Sequence, residues 1–198
     1  MTIPLLTIKL PDAVVYGNFL SPAECAELIA HVEGDMQSSK IVDRATGKPM
    51  VGEGRTSSTM FLKRGQTDLV KRIEQRISDL VGLPVEHGEG MQILRYDVGQ
   101  EYRKHYDYFS PEREKTPHHI KRGGQRIATF LMYLNTPEGG GETTFPHAGI
   151  SVHANEGNAL LFRYDTPSPD TKTLHAGTPV TSGVKWVATK WIRQSKFA

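Results

Sequence analysis

The order of apolar and polar residues divides the chain into a helical first third and a β-rich remainder. Ser21-Pro22-Ala23-Glu24 has the form of a helix start: a serine cap, proline in the first turn, and glutamate three residues after the cap. The helix it opens is expected to run to about His31 or Glu33 and to stop at Gly34. A second helix is expected after Thr67, where Leu69, Val70, Ile73, Ile77 and Leu80 recur at helical spacing and Gly82 and Pro84 end the pattern. Residues 37–59 are rich in Ser, Gly and charge; they read as a long loop of the lid type, leading into a short strand at 60–62. From residue 90 onward, short apolar segments at 91–98, 127–134, 150–153, 159–164 and 184–192 alternate with Pro- and Gly-rich turns. Strands this short, with no helices between them, predict an antiparallel sandwich or jelly roll with the helices packed outside it.

Composition narrows the class. The 198 residues are 37% hydrophobic and 23% charged, which disfavours a disordered chain or a fibre and suits a single domain over 1–198. A net charge of +2 is too slight to argue for nucleic acid, and the apolar runs are far short of a membrane span. Cys25 is the one cysteine, so no internal disulfide and no thiolate cluster can form. The first fifteen residues lack a basic start followed by an apolar stretch and a cleavage site, so a cytoplasmic setting is expected.

Three His-X-acid pairs occur: His31/Glu33, His87/Glu89 and His105/Asp107. Positions i and i+2 of a strand share a face, so such a pair can chelate a metal. His31 and Glu33 fall on a helix end, where they diverge, and His87 and Glu89 fall in a turn after Pro84. His105 and Asp107 follow a strand and lie among Tyr102, Tyr106, Tyr108 and Phe109. A non-haem iron(II) site of two histidines and one carboxylate needs a distal histidine, for which His175, His147 and His153 compete. In the last segment Lys185 shares parity with Val187, Thr189 and Trp191. An ammonium on that face either snorkels from an edge strand or meets the carboxylate of a ligand.

The chain resembles the collagen-type prolyl 4-hydroxylases of the Fe(II)/2-oxoglutarate-dependent dioxygenases, especially their short microbial members. The resemblance is carried by RTSSTMFL (55–62), HGEGMQILRY (87–96), GQEYRKHYDYF (99–109), QRIATFLMYLN (125–135), GGGETTFP (139–146), LHAGTPV (174–180) and GVKWVATKWI (183–192). It implies an α+β, mainly β fold: a double-stranded β-helix (jelly-roll) core over 86–198, with a helical buttress mostly within 1–85. It implies His105, Asp107 and His175 as iron ligands, and Lys185, Tyr96 and Thr129 as the residues holding the far carboxylate of 2-oxoglutarate. Arg55, Ser57, Arg126 and Trp191 fall where the family has substrate-side residues. The implied reaction is 4-hydroxylation of peptidyl proline with Fe(II), 2-oxoglutarate and O₂, and ascorbate as reductant. The implied partner is a proline-containing peptide, collagen-like sequences among them, with the enzyme a monomer or homodimer. Thr59 stands where many members have glycine, and residues 110–124 form a charged segment, expected to be a surface loop, that includes His118 and His119. These departures bear on the substrate rather than the chemistry. Alternatives are an oxygenase acting on another peptide side chain or a free amino acid, a nucleic-acid oxygenase, and a non-catalytic metal-binding jelly roll.

Overall fold

A computed structural model describes residues 1–38, 41–42, 49–50, 56–112 and 116–197, with the backbone alone at 41–42 and 49–50. The first third contains β1 (Ile3–Ile8), β2 (Asp12–Gly17), α1 (Pro22–Val32), β3 (Gln37–Ser38), β4 (Ile41–Val42), β5 (Pro49–Met50), β6 (Ser58–Leu62) and α2 (Asp68–Val81). There follow β7 (Met91–Tyr96), β8 (Tyr102–His105), α3 (Thr116–Ile120), β9 (Arg126–Tyr133), β10 (Gly139–Gly140), β11 (Thr143–Phe145) and β12 (Ile150–Val152). The chain closes with β13 (Ala159–Arg163), β14 (His175–Gly177), β15 (Val180–Ser182) and β16 (Lys185–Arg193).

Both long helices begin and end on the expected residues. The Ser21 hydroxyl accepts from the Glu24 N–H at 3.2 Å, and the Glu24 carboxylate accepts from the Ser21 N–H at 3.0 Å. Thr67 caps α2 by accepting from the Val70 N–H at 3.1 Å, and Gly82 ends it in the left-handed region at φ 72°. No helix among the described residues is long and apolar enough to cross a membrane.

Two antiparallel sheets form the core. The large sheet has the order β1-β2-β13-β9-β16-β7-β6-β3, and the small one β12-β11-β14-β8. Strand alternation splits the apolar residues of the large sheet between two clusters. Phe130, Met132, Leu161, Trp186 and Ala188 face α1 and α2, where they meet Leu28, Val32, Val70 and Ile73. Their neighbours Tyr133, Leu160, Phe162 and Val187 face the small sheet and meet Phe145 and Val152. The layers are therefore helices, large sheet and small sheet, as a jelly roll with an outer helical layer requires.

Three features differ from the expectations. The first third is not only helical: β1 and β2 extend one side of the large sheet and β6 and β3 the other. Every residue of β1 is exposed or half-exposed, so the strand has no apolar alternation to read. The strand expected at 60–62 begins at Ser58 and pairs with Gln37–Ser38, inside the stretch read as loop; much of 39–55 lies outside the described residues. Within 110–124, Thr116–Ile120 forms one short helix rather than a loop throughout.

Candidate functional site

The last strand sets the site. β16 lies between β9 and β7 and all nine of its residues are buried, which rules out an edge strand with Lys185 snorkelling into water. Alternation aims Lys185, Val187, Thr189 and Trp191 into one cavity between the sheets, and Tyr96, the cross-strand partner of Lys185, joins them. From the small sheet His105, Asp107, His175 and Thr143 line the same cavity.

His105 and His175 meet because β8 pairs with β14 in a register that sets them opposite each other. Asp107 lies just past β8. One ligand atom from each of the three residues falls within 4.8 Å of the others. His105 Nε2 lies 3.6 Å from Asp107 Oδ1, and His175 Nε2 lies 3.6 Å from Asp107 Oδ2. Each imidazole is oriented from behind. His105 Nδ1 lies 2.8 Å from the Arg103 carbonyl, and His175 Nδ1 lies 3.0 Å from the Thr173 carbonyl. A carbonyl only accepts, so both Nδ1 atoms carry a proton and both Nε2 atoms face the carboxylate, where a metal would displace any proton they hold. Tyr102 stacks on the His105 ring at 3.6 Å between centroids, and Phe162 packs on the edge of His175 at 4.8 Å. Burial would raise the Asp107 carboxyl, but His175, His105, Arg126 and the Thr129 hydrogen bond outweigh it and hold it down to about 2. The group is thus a carboxylate, ready to act as a ligand.

The rival histidines lie elsewhere. His147 is exposed in a turn, and His153, 77% exposed, lies 3.8 Å from Glu142. His87 holds the Arg193 carbonyl at 3.1 Å, while Glu89 is taken up by arginines. His119 is exposed on α3 and stacks on Phe109.

At the other end of the cavity Lys185 is 4% exposed and makes no ion pair among the described residues. Its ammonium lies 5.6 Å from the Tyr96 ring and 5.9 Å from the Tyr133 ring. Burial lowers it to about 8, against a weaker pull from Glu142. Tyr133 donates to Thr143 Oγ1 at 2.9 Å at this end of the cavity. A buried cation with hydroxyls around it is suited to a carboxylate.

Thr129, expected to hold the same carboxylate as Lys185, lies beside Asp107 in this structure. It pairs across the strands with Trp191, and its hydroxyl lies 2.7 Å from Asp107 Oδ2 and 2.8 Å from the Tyr164 hydroxyl. Beside Tyr96, which sequence reasoning named, the ring of Tyr133 lies 5.9 Å from the Lys185 ammonium and its hydroxyl holds Thr143; sequence reasoning missed these two. The parity of Tyr133 with Leu131 on β9 was the available signal. Arg126 is also engaged rather than free for a ligand. It grips Glu89 through Nε at 2.6 Å and Nη2 at 2.9 Å, and donates to the Asp107 carbonyl at 3.3 Å. The face of Trp191 covers its guanidinium at 3.9 Å. Trp191 lines the cavity, and its buried Nε1 has no hydrogen-bond partner among the described residues. Ser57 is buried just before β6, and Arg55 lies outside the described residues.

The donor set fits one divalent metal: two neutral imidazole nitrogens and one carboxylate on one face, with space in front of them and a cation beyond. Comparison with known proteins gives the same picture. Residues 91–193 match the model of the 2OG-Fe(II) oxygenase superfamily. Prolyl 4-hydroxylase 5 of Arabidopsis thaliana is 45% identical, over 94% of this chain and 70% of its own length. Prolyl 4-hydroxylase 1 of the same plant is 42% identical, over 93% and 69%. The crystal structure of the viral collagen prolyl hydroxylase from Paramecium bursaria Chlorella virus-1, in complex with 2OG, superposes with a TM-score of 0.71 at 28% identity. That match covers 91% of this chain and 95% of the viral one. The chain belongs to the 2OG-Fe(II) oxygenase superfamily and, within it, to the prolyl 4-hydroxylases.

Proposed function

We propose that the protein hydroxylates peptidyl proline at C4, using Fe(II), 2-oxoglutarate and O₂ and releasing succinate and CO₂. The observation that carries this reading is one cavity with a His105–Asp107–His175 ligand face at one end and, at the other, a buried Lys185 that has no ion-pair partner among the described residues. His105 Nε2, Asp107 and His175 Nε2 hold the iron. Lys185 pairs with the far carboxylate of 2-oxoglutarate, and Tyr96 and Thr143 wall that end of the cavity. Tyr133 orients Thr143 through its hydroxyl. Iron, co-substrate and O₂ together supply an oxidant for an unactivated C–H bond that no side chain provides.

The protein's own groups do the rest. The Nδ1–carbonyl contacts fix each imidazole in the binding tautomer. Leu94, Leu131 and Val187 line the cavity with apolar groups and keep water from the buried ion pair formed with Lys185. Trp191, with Arg126 stacked behind it, walls the cavity where the substrate would enter. Ascorbate, as the reductant that keeps the iron ferrous, is part of the proposal and rests on family resemblance. So is a cytoplasmic setting, which agrees with a single, buried, free cysteine at Cys25. The favoured substrate is a proline-rich or collagen-like peptide in extended polyproline II form.

The test is a peptide panel with Fe(II), 2-oxoglutarate and O₂, read by fragment mass spectrometry. A gain of one oxygen on proline, with the 4-hydroxy isomer identified by chromatography and one succinate formed per product, supports the reading. Oxygen gained only on other residues overturns it in favour of an oxygenase for another side chain.

A further inference from the structure

Behind the proposed iron carboxylate lies a buried chain of three oxygen groups that ends on Tyr164. Tyr164 follows β13 and is 1% exposed, and Thr129, in the middle of β9, is equally buried. The Tyr164 hydroxyl lies 2.8 Å from Thr129 Oγ1, which lies 2.7 Å from Asp107 Oδ2. A hydroxyl has one proton to give. The carboxylate only accepts, so Thr129 donates to Asp107 and must accept from Tyr164. The direction of the whole chain follows: Tyr164 to Thr129 to Asp107.

This arrangement treats the two carboxylate oxygens differently. Each oxygen lies 3.6 Å from a histidine Nε2, Oδ1 from His105 and Oδ2 from His175, but Oδ2 alone takes the hydrogen bond of Thr129. A carboxylate free to rotate can bind a metal through both oxygens and occupy one of the positions that 2-oxoglutarate and O₂ require. Thr129 alone holds Oδ2 weakly, because its hydroxyl rotates about a single bond. A donor from Tyr164 fixes that rotor and strengthens the next bond in the chain. The tyrosine is itself fixed. Its ring packs against Phe162 and Tyr108, each 6.0 Å away between centroids, and its N–H donates to the Ile127 carbonyl at 2.9 Å.

We propose that Tyr164 is a positioning residue for the metal centre, which holds Asp107 as a one-oxygen ligand through Thr129. The proposal rests on the assignment of Asp107 as a metal ligand. Tyr164 reaches no cavity wall itself and acts only through its neighbour.

The test is a metal titration of the apo protein with Co(II), followed by its visible spectrum, in wild type, Tyr164→Phe, Thr129→Val, Thr129→Ser and the Tyr164→Phe/Thr129→Val double variant. Phe keeps the ring packing and removes the hydroxyl alone. The expected result is a loss of about 10–100-fold in affinity for Thr129→Val, the range seen when groups behind a metal ligand are removed, and a smaller one, about 3–10-fold, for Tyr164→Phe, which acts at one remove. Thr129→Ser retains the donor and stays near wild type. The double variant binds no worse than Thr129→Val, because the tyrosine has nothing left to act through. The Co(II) spectrum of Tyr164→Phe shifts as the coordination changes, which a loss of packing alone would not produce. Wild-type affinity and spectrum in Tyr164→Phe, or independent losses that multiply in the double variant, would overturn the proposal. An Asp107→Ala control with undiminished Co(II) binding would instead overturn the ligand assignment, so the two failures are told apart.

Discussion

His105 and His175 are cross-strand partners in the small sheet, with ring centroids 4.2 Å apart at 55°. The site is therefore a product of register. A slip of β14 by one residue would turn His175 to the opposite face and dismantle the ligand set. His147, in a turn, and His153, just past β12, lie at the surface. His175→Ala is expected to weaken Fe(II) or Co(II) binding by more than about 100-fold, beyond the range for groups that only support a ligand. His147→Ala and His153→Ala should bind as wild type. Parallel metal titrations of the three variants decide it, and loss of affinity in either surface variant would contradict the assignment.

Lys185 gives the co-substrate a pH dependence of definite sign. Its ammonium titrates near 8 in the free protein, because burial lowers it from the ordinary lysine range. The carboxylate of 2-oxoglutarate pairs with the protonated form. Affinity should be flat well below pH 8 and fall as the pH rises through it, approaching a tenfold loss per pH unit. In Lys185→Arg the guanidinium stays charged, so whatever affinity remains should lack this bend. Calorimetric titration of the Mn(II)-loaded protein with 2-oxoglutarate across this range tests the claim. A wild-type profile that is flat through pH 8 would refute it.

Arg126 links Glu89 to the backbone of Asp107, so its loss should show first in stability. Arg126→Ala leaves Glu89 with Arg193 alone, 3.1 Å away. A cost of about 2 kcal/mol is expected, below the range for breaking a fully buried pair, because the pair is partly exposed and that second arginine remains. Urea unfolding measures it. Unchanged stability with a raised KM for the peptide would instead support the substrate-side role expected from the sequence.

On the far face of β16, Lys190 pairs with Glu74 of α2, both about 2% exposed or less. The contact anchors the helix to the strand that also carries Lys185. Removing one partner, as in Glu74→Leu, should cost about 3–5 kcal/mol, whereas Glu74→Leu/Lys190→Met together should come close to wild type. Chemical denaturation of both variants checks this, and equal losses in the two would contradict it.

Much of the site was legible before the fold was known. The parity of Lys185 with Thr189 and Trp191 was readable because β16 is long and regular, and the capping residues Ser21 and Thr67 carry local signals that need no tertiary context. The choice among His147, His153 and His175 was not readable from spacing, since β8 and β14 are too short to show a period and only their pairing selects the partner. The height of Thr129 along its strand was not readable for a related reason. The residue faces the interior as expected, but its height along β9 places it beside Asp107, and Tyr133 is the residue that reaches the Lys185 end. Parity gives the face of a strand; it does not give the distance along it. The hairpin of β1 and β2 escaped notice because an exposed first strand has no buried side to mark it.

The most direct test of the account is optical and needs no peptide. Apo protein is titrated anaerobically with Fe(II), then with 2-oxoglutarate, and the visible charge-transfer absorption of the chelate is followed in wild type, His175→Ala and Lys185→Ala. The account predicts a band in wild type, no band in His175→Ala, and in Lys185→Ala a band that saturates only at co-substrate concentrations more than about tenfold higher, for loss of one charge-assisted contact. Folded, iron-loaded wild type that gives no band with 2-oxoglutarate would contradict the claim that this cavity binds metal and co-substrate together.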